Sequence, residues 1–352
     1  MSLVKNSTII ILGVILSNLL TYLFHLVAGR ALGPKDYGVF GALMALFLLA
    51  ALPASALGFA ISKFTSRFYS VNNLGSIAQL RKKIQVDVLI FSLILLTLII
   101  LLSQIIADFL KINSNFPVIV VGIVLVFALI LPVNRGVLQG MKKFQVLSWN
   151  MFIEALSRLV LLIIFLYLGF GVNGAVFAYG LAYFVAFLII FRSIKETKQQ
   201  TSLVEKIEIK PVYKFILQVM VVNIVLQSII NIPSLFIKHF FSSEFTGYWT
   251  ASLSIARISL FITGSVSLVM FPEIAGEKEQ NNKKKIFKKA AILVFIASSC
   301  MALIFFVMPQ FLIQSLYGSA YFGAVPILKV MGFVMILIGL LQLWVDYLLA
   351  KL

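Results

Sequence analysis

About ten apolar runs, each near or above the length needed to cross a bilayer and separated by short polar segments, leave this chain very few possible folds. They lie near residues 7–31, 37–62, 85–107, 116–137, 147–168, 172–192, 214–238, 246–271, 289–309 and 324–349. A helix of about 20 apolar residues spans the hydrocarbon core, where an open sheet edge finds no partner for its backbone N–H and C=O groups. The alternating pattern of a membrane barrel is absent. The runs are therefore helices, and the chain is all-α, a polytopic membrane protein with about ten transmembrane helices. Composition agrees: 61% of the 352 residues are hydrophobic and 12% charged, against roughly 25% charged in soluble domains.

A formal net charge of +17 would point to nucleic acid in a soluble chain. Here the basic residues sit in short segments between apolar runs, so no nucleic acid is expected as a partner. Counted over alternate loops, about 22 Lys and Arg fall on one side and about 4, namely Arg30, Lys35, Lys111 and Lys238, on the other. The richer side is read as cytoplasmic, with both termini on it and the chain multi-pass in the cell membrane. The first run lacks a cleavage site and is read as a retained helix. Cys300 stands alone in an apolar run, and His25 and His239 lack acidic or thiol company, so neither a disulfide nor a metal site is expected. No Walker loop, HExxH helix or nucleophile elbow occurs, and the outer loops are too short for a catalytic domain. Transport without bond-making or a cofactor is the expectation.

Ala28 to Gly41, AGRALGPKDYGVFG, reads as a charged hinge that makes the first two helices an antiparallel hairpin. Gly33-Pro34 breaks the first helix, and Asp36 is placed to cap the second. Six helices fill an N-terminal lobe, 1–194; a cytoplasmic linker, 195–212, leads to a C-terminal lobe of four helices, 213–352. A second charged run, Glu273 to Lys289, has lysines placed to meet anionic membrane lipids. Sliding the chain by about 209 residues sets Tyr37-Gly38-Val39-Phe40 on Thr246-Gly247-Tyr248-Trp249 and Arg30 on His239. Asn18 then meets Gln227, Tyr22 meets Asn231, His25 meets Ser234 and Gly29 meets Lys238. An even number of spans separates the copies, which makes this a parallel repeat about an axis along the membrane normal. Sliding by about 211 sets Arg135 on Asp346, so the second lobe is expected to be incomplete.

Polar residues inside the spans mark candidate sites, because they are costly in lipid. Asn223, Gln227, Asn231, Ser234 and Lys238 fall within about 80° of one helix face at about 100° per residue. Asn18, Tyr22 and His25, with Thr21 beside them, form the matching stripe on the first span. Together they read as a lined cavity between the lobes; interhelical hydrogen bonding is the plainer alternative. Arg158 and Arg257 lie near the middle of their spans, where a guanidinium costs about 2.5–3.5 kcal/mol on insertion scales. Glu154 stands one turn from Arg158, with Asn150 before it, and can neutralise part of that charge. Arg257 has no acid in its own span and is read as facing a water-filled cavity, where its planar fork suits phosphate oxygens.

The hinge GRALGPKDYGVFGAL, the helix end LQGMKKF (Leu138 to Phe144) and the two-lobe repeat resemble polysaccharide flippases of the multidrug/oligosaccharidyl-lipid/polysaccharide exporter superfamily. The resemblance implies two six-helix lobes around a central, often cationic cavity. It also implies alternating access, with a sugar-pyrophosphate in the cavity and a polyprenyl tail in the bilayer. On this chain the anion-contacting set would be Arg30, Arg158 and Arg257, and the four-helix second lobe departs from the family pattern. The expected partners are a lipid-linked oligosaccharide substrate, membrane lipids and other glycan-assembly proteins. Two alternatives stand beside this reading: a cation-coupled multidrug exporter of the same superfamily, and a membrane-bound glycan polymerase or ligase.

Overall fold

The computed structural model describes residues 3–194, 207–277 and 279–351. Lys278 and residues 195–206, most of the expected linker, lie outside the described residues. Every regular element described is helical: α1 (Leu3–Ala50), α2 (Leu52–Ser70), α3 (Leu74–Phe109), α4 (Phe116–Gly140), α5 (Phe144–Tyr167), α6 (Gly171–Ile194), α7 (Lys210–Phe240), α8 (Ser243–Ala256), α9 (Ile258–Gly276), α10 (Gln280–Val307), α11 (Pro309–Tyr317), a 3-10 turn (Ser319–Ala324) and α12 (Val325–Lys351). Among the described residues eight stretches are long and apolar enough to cross a bilayer. Two of the ten expected spans escape that count because each is broken. The second is shared between the end of α1 and α2, parted at Ala51 just before Pro53. The eighth is split at Arg257 into α8 and α9.

The hinge is a sharp break inside α1. Gly33 takes φ 72° and ψ 171°, and helix resumes at Pro34. Proline suits a first helical position, where no N–H is needed. Asp36 consequently lies within the first turn of the resumed helix and does not cap it.

Contacts divide the chain into two compact units, one made of residues 1–32 and 39–240, the other of 33–38 and 241–352. In the first, α4 is central and packs on α2, α3 and α6, while α5 packs on α6. The α4 sequence Gly136-Val-Leu-Gln-Gly140 brings two glycines to one face. A Cβ at Gly136 would stand 2.8 Å from the Gly58 carbonyl oxygen, and one at Gly140 2.6 Å from the Thr65 Cβ. Small residues four apart let helix backbones approach closely where dispersion, not water exclusion, drives association. Ala56, Leu57, Ala60 and Ile61 of α2 bury themselves there with Leu129, Val133 and Val137 of α4 and Leu80 and Ile84 of α3. Val212, Ile216 and Val219 of α7 join the same cluster, so α7 packs in the first unit although the chain order suggested the second lobe.

In the second unit α9, α10 and α12 pack mutually, with Met270, Ile274, Val294, Leu343 and Tyr347 buried between them. The hinge segment 33–38 docks here. Tyr37 is fully buried, its hydroxyl 3.3 Å from Ser254 Oγ and 3.4 Å from Tyr317 Oη. Tyr321 closes over it at 6.2 Å between ring centroids.

Candidate functional site

The polar interior of the first unit is built on α5. Asn150, Glu154 and Arg158 recur every four residues, so they share one face, and all three are buried. Leu156, Val160 and Ile163 of the same helix are exposed. Residues that lipid solvates turn outward, and those it cannot solvate turn toward neighbouring helices.

Glu154 is the centre of the group. Its Oε1 takes a hydrogen bond from Arg158 Nη2, the pairing expected from the four-residue spacing. Its other oxygen accepts from Arg135 Nη2 of α4 at 2.7 Å. Arg135 also donates Nε–H to Asn150 Oδ1 at 2.8 Å, and Asn150 Nδ2 donates to the Ala186 carbonyl of α6 at 2.7 Å. One carboxylate thus serves two guanidinium groups, and the group carries one excess positive charge.

Aromatic rings from α6 cover the second guanidinium. Arg158 Cζ lies 4.1 Å from the Tyr179 ring centroid and 5.4 Å from that of Tyr183. A cation over an aromatic face gains about 0.5–2 kcal/mol, more as water is excluded. The Tyr179 hydroxyl stands 3.3 Å from His25 Nε2 of α1, and Phe24 meets the Tyr179 ring edge-on at 4.9 Å. Arg158 Nε is buried and has no hydrogen-bond acceptor among the described residues, as is true of the Tyr22 hydroxyl one turn before His25. Arg158 is 5% exposed, so this cation is held almost wholly out of solvent.

Of the expected site residues, His25, Glu154 and Arg158 come together here. Asn18 and Tyr22 are half-buried on the same helix as His25. Arg30 is exposed near the hinge, beyond this group. The α7 stripe packs against other helices of the first unit. Asn223 Nδ2 donates to Ser55 Oγ of α2 at 2.9 Å, and Asn231 Nδ2 turns back onto Gln227 Oε1 at 3.0 Å. At the end of the stripe Lys238, 1% exposed, donates to the Lys111 carbonyl at 3.4 Å. Arg257 belongs to the second unit, half-buried at the break between α8 and α9.

Arg135, Tyr179 and Tyr183 were not among the expected residues. Arg135 stands at the inner end of the expected fourth span and counts with the cytoplasmic charges, but α4 continues past it to Gly140, and its guanidinium turns onto Asn150 and Glu154. Tyr179 and Tyr183 did carry a signal, a four-residue spacing that matches Glu154 and Arg158. Among the described residues no three His, Cys, Asp or Glu side chains group as a metal site requires.

A family model described as polysaccharide biosynthesis protein matches residues 3–276. An uncharacterized membrane protein of Methanocaldococcus jannaschii is 25% identical over 301 residues, covering 79% of this chain and 69% of its own. Among solved structures, an inward-facing multidrug resistance MATE family transporter of the MOP superfamily superposes with a TM-score of 0.73 at 16% identity, over 95% of this chain and 83% of that one. The lipid II flippase MurJ, in an inward closed conformation, also reaches 0.73 at 16% identity, over 97% and 75%. A MATE transporter of Vibrio cholerae reaches 0.70 at 16%, over 98% and 85%. These likenesses establish a shared fold, that of a multi-pass all-α membrane protein.

Proposed function

The chain belongs to the polysaccharide biosynthesis protein family, and from that premise we propose that it carries a polyprenyl-(pyro)phosphate-linked oligosaccharide, or a related anionic glycolipid, across the cytoplasmic membrane by alternating access. No bond is made or broken. Both termini are cytoplasmic, as the distribution of Lys and Arg requires.

The observation that carries this reading is the excess positive charge of the Arg135–Glu154–Arg158 group within the membrane-spanning part of the first unit. A neutral Arg–Glu pair would satisfy a structural role. A second guanidinium on the same carboxylate costs further desolvation, and the Arg158 Nε–H has no acceptor among the described residues. A phosphate oxyanion passing this group supplies the missing charge and acceptor. The excess cation also disfavours a cationic drug, which sets this reading apart from multidrug export.

Deleting the gene in its native host tests the proposal. The lipid-linked sugar should build up on the cytoplasmic face of the membrane. An unchanged distribution between the two leaflets would contradict it.

A further inference from the structure

One residue before Arg135, Asn134 faces a different neighbour. Its Oδ1 accepts the Nε–H of Arg81 of α3 at 2.9 Å. Arg81 is 8% exposed and Asn134 fully buried, and the Arg81 guanidinium lies 5.7 Å from the Phe191 ring centroid of α6. The adjacent Lys82 and Lys83 are exposed. Asp87, the nearest acid on α3, is engaged elsewhere, with Lys83 Nζ at 2.6 Å and with the Tyr213 hydroxyl.

Arg81 therefore has no carboxylate among the described residues. The amide beside it is also short of a partner. Because Oδ1 accepts from Arg81, the opposite end of the Asn134 side chain must be the –NH2, and that buried Nδ2 has no acceptor among the described residues. A buried amide N–H with no acceptor among the described residues thus stands beside a guanidinium that has no carboxylate among them. Leaving a buried amide unmet is costly, and an oxyanion set against the guanidinium would give it an acceptor.

We propose that Arg81 and Asn134 form an anion site between α3, α4 and α6 that holds a phosphate oxyanion, presented by the head group of an anionic inner-leaflet phospholipid. With Nε committed to Asn134, the Nη groups remain for the phosphate oxygens. Lys82 and Lys83 extend the positive surface outward at head-group depth, the arrangement by which basic pockets between helices take lipid head groups. The site is separate from the Arg135–Glu154–Arg158 group and does not depend on what is transported.

Native mass spectrometry of the purified protein, titrated with phosphatidylglycerol or phosphatidylcholine, tests the site. The wild type should retain phosphatidylglycerol in preference to phosphatidylcholine. Asn134→Asp supplies Arg81 with an internal carboxylate, so it should fold and bind phosphatidylglycerol about tenfold more weakly, the loss of one charge-assisted contact. Arg81→Met with Asn134→Leu should lose the preference likewise, whereas Lys82→Gln with Lys83→Gln should keep most of it. Thermal unfolding in the presence of inorganic phosphate separates the two sources of the anion. A midpoint raised by inorganic phosphate, with no preference for phosphatidylglycerol, keeps the site and assigns it to a soluble phosphate. Equal phosphatidylglycerol affinity in the wild type and in Asn134→Asp would overturn it.

Discussion

Gly38 and Gly247, which correspond when the chain is slid along itself by 209 residues, touch each other in the folded second unit. A Cβ on Gly38 would stand 2.7 Å from the Gly247 backbone nitrogen, and one on Gly247 would collide with the Pro34 carbonyl. The repeat therefore supplies its own contact point: two helix starts cross where neither carries a side chain. Nearby, Tyr37 is locked among Ser254, Tyr317 and Tyr321.

Neither crossing glycine should tolerate a methyl group. Gly38→Ala and Gly247→Ala should each destabilise the protein by about 1–3 kcal/mol, the cost of overpacking a tight contact. Gly264 of α9 is the control, because nothing stands within 4 Å of a Cβ built there. Gly264→Ala should be neutral or stabilise by up to about 1 kcal/mol, since alanine is the better helix former. Fluorescence-detected gel filtration over a temperature series measures all three.

Removing the shared carboxylate should hurt more than removing either cation. Glu154→Gln leaves two guanidinium groups in the membrane interior without a counter-charge and should cost about 3–5 kcal/mol. Arg135→Gln added to Glu154→Gln should recover part of that loss, because one of the two unpaired charges is gone. A double-mutant cycle on thermal unfolding in detergent gives the coupling.

The Tyr179 ring and its hydroxyl have separable roles. Tyr179→Phe keeps a face 4.1 Å from Arg158 and loses the 3.3 Å contact with His25. It should change stability by less than about 1 kcal/mol, whereas Tyr179→Leu, which removes the cation–π contact as well, should cost about 1–2 kcal/mol more. Unfolding midpoints of the two variants should differ accordingly.

Much of the architecture is legible from the residue order, and the reasons for the misses are physical. Hydropathy locates the apolar runs because lipid imposes a minimum length on a crossing helix, and the 209-residue offset identifies the glycines that later prove to be in contact. Arg81 precedes the third apolar run and Arg135 lies at the inner end of the fourth, so both count among the cytoplasmic charges; hydropathy alone does not show that α3 begins at Leu74, ahead of its run, or that α4 carries on to Gly140. Whether an arginine at a span's edge faces solvent or a neighbour depends on partners such as Asn134 and Asn150, which are distant in sequence. The breaks at Ala51 and Arg257 fall inside apolar stretches; Pro53 hints at the first, and nothing in the sequence marks the second. The Glu154–Arg158 pair was legible because helix geometry alone brings residues four apart together. Its extension to Arg135, Tyr179 and His25 rests on packing among α1, α4, α5 and α6.

Expression in a drug-sensitive host should leave resistance to cationic dyes unchanged. The excess cation on Glu154 repels a positively charged substrate, and the growth-inhibitory dye concentration is the readout. A several-fold rise would favour the multidrug exporter reading.

The central claim is that the excess guanidinium of Arg158 receives the phosphate of a lipid-linked sugar. Arg158→Gln leaves Glu154 paired with Arg135 at 2.7 Å, so the variant should fold while its buried group becomes neutral. Purified protein in liposomes containing a labelled polyprenyl-pyrophosphate oligosaccharide gives the decisive measurement: the fraction of label that moves from one leaflet to the other. The wild type should move it, Arg158→Lys should retain part of the rate, and Arg158→Gln should fall at least about tenfold, as loss of a charge-assisted contact implies. Movement by Arg158→Gln at the wild-type rate, or none by the wild type beyond protein-free liposomes, would contradict the account.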